Sequence, residues 1–539
     1  MAQRLAQATH NRLVAGSNPA GPTLPFRVGM STKEIHRTIT RMSTKKAGLV
    51  LIVLGAVLFL VSLLVDYVGG GDRRLGANQV LGMEIGVIIL LSGIFLAYLY
   101  PEHRVNIRAG IHTLLERLAN LPVSAWVIVG FLIVYFLYFI SPIFLNPERR
   151  IYYPTRYMSD SSPIGLDIRD VTRYIENWVV KGQSPYADKF IAYPPLALAL
   201  FTPLLLLGYP AYYYFITFTT LLFYLVSTLL VPLWSIPSRK KSLVLLLFAL
   251  GAFSYGFQFE LERGQSNIIA FSLGLLAVYL YHSRQDSDYL AYLLFSVGLQ
   301  MKIYPGILIV MFVKDWRDWK GNIKRIAGLL LFNLALLFIL GPGLFKDFID
   351  AVRGQQAFEN PSLESHALKG YFSYLAEGDL PSLAPRTLAM VQQYQGQIEL
   401  LLLAVLGLCL LSVLLSLYLQ RKSGLNASLL VLCTICAMVI PSISNNYKLP
   451  ILIAPMAILW GSITMPAGGW KKILSILLII MTSVAYWSLQ YPPTIKPEFL
   501  RHNFPALFVI AIVTTVLYFV APRLPDISSD RHADDIAGA

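Results

Sequence analysis

The chain has 539 residues, of which 56% are hydrophobic and 14% charged, and it carries a net charge of +14. A soluble domain carries roughly 25% charged residues, so this composition and the mean hydropathy of +0.59 exclude an ordinary soluble enzyme. The positive balance does not point to nucleic acid, because the basic residues fall in short clusters between apolar runs, where the orientation signals of a membrane protein lie.

Residues 1–29 lack the apolar core of a signal peptide. Gly16-Ser17-Asn18-Pro19 is what the common T-arm sequence of transfer RNA genes encodes in this frame, so translation is expected to start at Met30. The alternative is a disordered basic tail. Either way 1–46 is expected in the cytoplasm, since Lys33, Arg37, Arg41, Lys45 and Lys46 stand against Glu34. Apolar runs at 47–67 and 81–100 each reach the roughly 20 residues that cross a bilayer and predict a transmembrane hairpin within 47–122. Loop 101–122, with Arg104, Arg108 and Arg117, returns inside.

A span over 123–145 then leads to a long external loop, 146–193. Ser238-Arg239-Lys240-Lys241 belongs inside, so 194–236 makes one net crossing although it is too long for a single helix. Gly208-Tyr209-Pro210 breaks it, which makes 194–207 a short or re-entrant helix. A second break, at Lys302-Ile303-Tyr304-Pro305, divides 289–313 ahead of the basic stretch 314–320. A span near 325–341 leads to a second external loop, 343–395. Spans near 398–419, 426–441, 448–464, 472–490 and 504–521 follow, with a cytoplasmic tail at 522–539. The sum is an all-α polytopic membrane protein of about 12 crossings with broken helices and two long external loops. Cys433-x-x-Cys436, like Cys409, lies inside an apolar run and reads as packing, since no second pair accompanies it.

This topology puts four polar clusters on the external side: Asp167/Asp170, residues 262–267, Lys302-x-x-Pro305, and Ser444-Asn445-Asn446-Tyr447-Lys448. Ionisable groups at membrane depth are costly and line cavities or sites. Snorkelling to the interface is the plain alternative for each cation, but four clusters on one face point to function.

The early cluster runs Asp167-Ile168-Arg169-Asp170-Val171-Thr172-Arg173-Tyr174, then Gly182-Gln183-Ser184-Pro185-Tyr186, then Tyr193-Pro194-Pro195-Leu196. Gly264-Gln265-Ser266-Asn267, Lys302-x-x-Pro305 and Asn360-Pro361-Ser362-Leu363 follow in order. Together they resemble the GT-C superfamily of membrane glycosyltransferases, and within it the polyprenyl-phosphate-mannose-dependent α-mannosyltransferases of bacterial and archaeal envelopes. The resemblance covers residues 123–465, which leaves the 47–122 hairpin and the helices over 466–521 outside the core.

The resemblance implies transfer of a sugar, mannose by this likeness, from a polyprenyl- or dolichyl-phosphate donor to an extracytoplasmic glycan or glycolipid at the plasma membrane. With one carboxylate acting directly as base, inversion is expected, and the residues and their spacing indicate no cofactor, no metal and no nucleic-acid partner. The family's general base falls on Asp170, which has the spacing to Tyr174, with Asp167 as the fallback. Lys302, Lys448 and Arg263 are expected to meet the departing phosphate. Tyr174, Tyr186, Tyr193, Gln265, Asn267, Asn360 and Tyr447 are expected to bind substrate. Relatives often carry a Trp or His where this chain reads Ser444–Lys448, so a histidine-assisted mechanism is not expected. His366 has no second His at ligand spacing and reads as a surface residue.

Two other readings compete. Broken helices and buried charge suit a transporter or flippase, but no inverted repeat is visible and the polar groups gather on one side. An envelope-polysaccharide polymerase or ligase shares the long external loops but lacks the early Asp followed by Tyr-Pro-Pro.

Overall fold

The structure is a computed structural model that describes residues 48–58, 61–62, 86, 89, 123–135, 164–187, 191–236, 240–283, 288–357, 365–377, 385–421, 424–463, 469–487 and 498–520. The chain divides into two compact units. In the first, 1–57 with 86–107, the described residues 48–57, 86 and 89 are helical. Both expected tails, most of the 47–122 hairpin and Asn360 lie outside the described residues.

In the second unit, 58–85 with 108–539, every named element among the described residues is a helix. In chain order its helices are α1 (Val123–Tyr135), α2 (Leu166–Val179), α3 (Pro195–Phe201), α4 (Ala211–Leu225), α5 (Lys241–Ala252), α6 (Tyr255–Arg263), α7 (Asn267–Ser283) and α8 (Asp288–Met301). They are followed by α9 (Trp319–Leu337), α10 (Pro342–Ala357), α11 (Leu368–Glu377), α12 (Pro385–Gln420), α13 (Ala427–Val439), α14 (Ile453–Ser462), α15 (Gly469–Tyr486) and α16 (Phe504–Val520). Short 3-10 helices, Thr202–Leu206, Tyr304–Met311 and Asn446–Leu452, stand where a proline denies the backbone a regular α-helical bond.

Among the described residues, three helical stretches are long and apolar enough to cross a membrane: Ala211–Leu233, Arg386–Gln420 and Gly469–Tyr486. The number rises to five if two bent pairs, α5 with α6 (54°) and α9 with Pro342–Gln355 (101°), each count as one span. This is fewer than the crossings expected from hydropathy. The chain breaks several apolar runs at Pro and Gly into helices of 10–17 residues, such as α13 and α16. The stretch expected as the second external loop is also more regular than expected. It holds α10 and α11, and α12 begins at Pro385, well before its apolar run, because 385–397 is polar yet rich in helix formers.

Polar side chains stitch the apolar layers. Gln300 Nε2 donates to the Asn333 carbonyl (3.0 Å) and Asn333 Nδ2 to Ser296 Oγ (3.0 Å), which joins α8 to α9. Lys240 Nζ donates to the carbonyls of Trp460 (3.0 Å) and Gly461 (3.1 Å), a cation at the negative end of α14. Cys433 and Cys436 are free thiols buried in α13.

The segment that positions the polar residues is the α6–α7 turn. Gly264 ends α6 in the left-handed region (φ 66°), and the Gln265 amide closes the turn on the Glu260 carbonyl at 3.0 Å. Two residues later α7 begins, and its free amide at Ile268 is taken by the Glu260 carboxylate (3.0 Å). α2 packs on this turn through its apolar face, Ile168, Val171, Ile175 and Trp178 at helical spacing. Gly165, also left-handed (φ 74°), donates its amide to the Glu262 carbonyl at 2.7 Å. The Tyr213 ring fills the space beside both glycines: a Cβ on Gly165 would lie 2.6 Å from it, and one on Gly264 would lie 2.8 Å from Ile168.

Gly264→Ala is therefore expected to destabilise the protein by about 1–3 kcal/mol. Gly328→Ala, where nothing lies within 4 Å, is expected to be neutral or mildly stabilising. Thermal unfolding in detergent compares the two. By the same method Glu260→Ala, which leaves buried donors unmatched, is expected to cost about 1–3 kcal/mol. The exposed Glu176→Ala on α2 is expected to stay within about 0.5 kcal/mol.

Candidate active site

The α6–α7 turn, the start of α2, the residues before α3, the break after α8 and the 3-10 helix before α14 bring their polar side chains together. Gln265 is at the centre. Its Nε2 donates to Asp167 Oδ2. Its Oε1 accepts from Asn267 Nδ2 (3.2 Å), Lys302 Nζ (3.4 Å) and the Tyr193 hydroxyl (3.4 Å). The other oxygen of Asp167 pairs with Arg263 Nη2 at 2.9 Å. Both oxygens of Asp167 are thus engaged.

Glu260, which the sequence reading did not single out, lies beneath this layer and is wholly buried. Its carboxylate accepts from Asn267 Nδ2 (3.0 Å) as well as from the Ile268 amide. It stands seven residues before Asn267, on the other side of the Gly264 turn, while Glu262 lends its backbone carbonyl to Gly165. A carboxylate inside an apolar run was the available signal, but choosing between 260 and 262 requires knowing where α6 ends.

The two lysines are held by rings. Lys302 follows the last residue of α8, where Pro305 prevents continuation, and its ammonium sits 3.7 Å from the centre of the Tyr193 ring. Lys448 is buried, lies 4.7 Å from the Tyr304 ring centre and donates to the Ile443 carbonyl at 3.2 Å. The Tyr304 hydroxyl in turn donates to the Asn267 carbonyl (2.9 Å). Among the described residues no carboxylate lies within 4.0 Å of either lysine. Glu260 is a carboxylate whose charge reaches both from further away.

Asp170 is one helical turn beyond Asp167. It is about 41% exposed and pairs with Arg173 Nη2 at 3.1 Å, which leaves its second oxygen without an ion-pair partner. Partial burial raises its carboxyl above the usual range, against the pull of the Arg173 guanidinium. Asp167 and Arg263 are both close enough to act on its charge.

The remaining residues divide. Tyr447 is buried against the Phe259 ring (5.6 Å) and belongs to the cluster. Tyr186 is buried too, but its hydroxyl donates to the Tyr193 carbonyl (2.7 Å) and its ring meets Phe348 of α10 (5.9 Å). With Ser184 donating to Asp347 (2.6 Å), it fastens the segment before α3 to α10 and sets Tyr193 in place. Tyr174 lies under Arg173 (4.9 Å) on α2. His366 corrects the surface expectation: it is fully buried, with Nε2 2.9 Å from Ser444 Oγ. Among the described residues no group of three or more His, Cys, Asp or Glu gathers as metal ligands do.

Two carboxylates of different environment beside two lysines without close carboxylate partners form a site suited to moving a proton at one edge and receiving negative charge at the other. Residues 190–442, a little under half of the chain, match glycosyltransferase family 87. No curated protein and no solved structure matches the chain. The matched segment contains Tyr193, Glu260, Arg263, Gln265, Asn267 and Lys302, while Asp167, Asp170 and Lys448 flank it. The chain is a membrane glycosyltransferase, built of helices over its described residues and similar to family 87 over that segment.

Proposed function

We propose that the protein transfers a sugar, mannose by its resemblance, from a polyprenyl- or dolichyl-phosphate carrier to a hydroxyl of a glycan or glycolipid. The reaction is assigned to the external face of the plasma membrane, with both termini in the cytoplasm, on the strength of the basic loops. The observation that supports this reading best is the pair of lysines, Lys302 and Lys448, held against tyrosine rings with no carboxylate close by. An uncompensated cation is costly away from water, and a phosphate group on the donor supplies the missing negative charge.

In this reading Asp170 takes the proton from the acceptor hydroxyl, and the resulting oxygen attacks the anomeric carbon. The bond from that carbon to the phosphate oxygen breaks, and its electron pair leaves with the lipid phosphate, where Lys302 and Lys448 meet it. Attack opposite the leaving group inverts the anomeric centre. Asp167 suits the base role less well because Arg263 and Gln265 already occupy its oxygens, so it holds Arg263 and the α6–α7 turn in register. The step balances without a cofactor or metal.

Asp170→Asn is expected to reduce turnover by about 10²–10⁴-fold with the protein still folded, as loss of a general base does. Asp167→Asn is the comparison, and a larger loss there moves the base to 167. The acid limb of kcat/KM is expected above the value of about 3.9 for a free aspartate, because a raised carboxyl regains its proton earlier as pH falls. Arg173→Ala removes the cation that lowers Asp170 and moves the limb higher still. Lys302→Ala and Lys448→Ala are expected to weaken use of the donor by about 1.5–3 kcal/mol each in kcat/KM and leave acceptor KM little changed. Steady-state kinetics with varied donor and varied acceptor measure both.

A further inference from the structure

Behind Lys448 lies a second polar cluster that the reaction does not use, assembled from three distant stretches of chain. His366 comes from the segment before α11, Ser444 and Asn446 from the approach to α14, and Asn503 from the residue before α16. All four are buried, at 0%, 0%, 5% and 4% exposure. The His366 amide donates to the Ser444 carbonyl (2.7 Å), and Ser365 and Asn445 form an antiparallel bridge beside it. Asn446 Oδ1 accepts from Asn503 Nδ2 (2.9 Å) and faces His366 Nδ1 at 3.4 Å. An acceptor at Nδ1 fixes the proton there, so Nε2 accepts from the Ser444 hydroxyl. Burial, with the Lys448 charge, pushes His366 down to about 3, which keeps the ring neutral and this pattern intact.

Among the described residues, the polar contacts of the buried Lys448 ammonium are one carbonyl and the face of one ring. Its backbone amide donates to the Asn445 carbonyl (3.0 Å), so its place follows from the turn that the cluster grips at 444 and 446. We propose that His366, Ser444 and Asn503 are positioning residues that clamp this turn and thereby set Lys448 against the donor phosphate. The proposal rests on the reading of Lys448 as a phosphate ligand. It makes the run into α16 part of the catalytic unit although the family match ends at residue 442.

The test uses the purified full chain with a synthetic polyprenyl-phosphate mannose donor, and KM is measured separately for donor and acceptor. Ser444→Ala removes one oxygen and is the variant least able to disturb folding. Ser444→Ala and Asn503→Ala are each expected to raise donor KM by about five- to thirtyfold, the effect of one unmatched buried hydrogen bond. Acceptor KM should stay within about twofold, and neither change should add to Lys448→Ala, because coupled residues are not additive. His366→Asn, which keeps a donor for Asn446, should recover part of the activity lost in His366→Ala. Clamp variants that raise both KM values equally, or multiply with Lys448→Ala, overturn the clamp and leave Lys448 as a phosphate ligand. A Lys448→Ala variant with unchanged donor KM overturns the phosphate reading and the clamp with it.

Discussion

Charge withdrawn from water has to be matched where it sits, at a cost of several kcal/mol per ion if it is not. Most of the polar architecture satisfies this rule among its own members. Asp167 is answered by Arg263 and Gln265, and Glu260 by the start of α7 and by Asn267. The exceptions are Lys302 and Lys448, whose charge is softened by tyrosine faces and a distant carboxylate. The helix breaks serve the same rule, since irregular backbone at membrane depth is tolerated where protein surrounds it. The break after α8 and the 3-10 helix before α14 deliver a lysine each, and the α6–α7 turn delivers the amides that hold the carboxylates.

The readable parts of the sequence were those whose chemistry is local. Gly208-Tyr209-Pro210 and Lys302-Ile303-Tyr304-Pro305 interrupt helices because of what glycine and proline do to their own backbone, and helices end at both places. Arg263, Gln265, Asn267, Lys302, Tyr447 and Lys448 stand out against apolar neighbours, and they meet in one site. Features that depend on distant partners were not readable. His366 looked like a loop residue because the groups that bury it are 78 or more positions away in sequence. Glu260 and Glu262 look alike until the end of α6 is known. Hydropathy marked only the apolar part of α12, and several of the runs it marked are helices of 10–17 residues among the described residues.

The segment before α3 is tied to α10. Ser184 and Tyr186 hold α10 through Asp347 and Phe348, and Tyr186 also holds the carbonyl of Tyr193, whose ring carries Lys302. A single hydrogen-bonded residue, Tyr186, thus links α10 to the ring that carries a lysine of the site.

The length of α12 has a separate consequence. Its 36 residues extend about 54 Å at 1.5 Å per residue, while the hydrocarbon core of a bilayer is about 30 Å thick. Its apolar run lies toward the C-terminal end, so a bilayer needs only part of that length, and the backbone leaves helical geometry at Tyr394 (φ −114°), ahead of that run. The polar turns before Tyr394 are thus joined to the apolar run by one non-helical residue, and the bend there lets the two parts of the element take different directions.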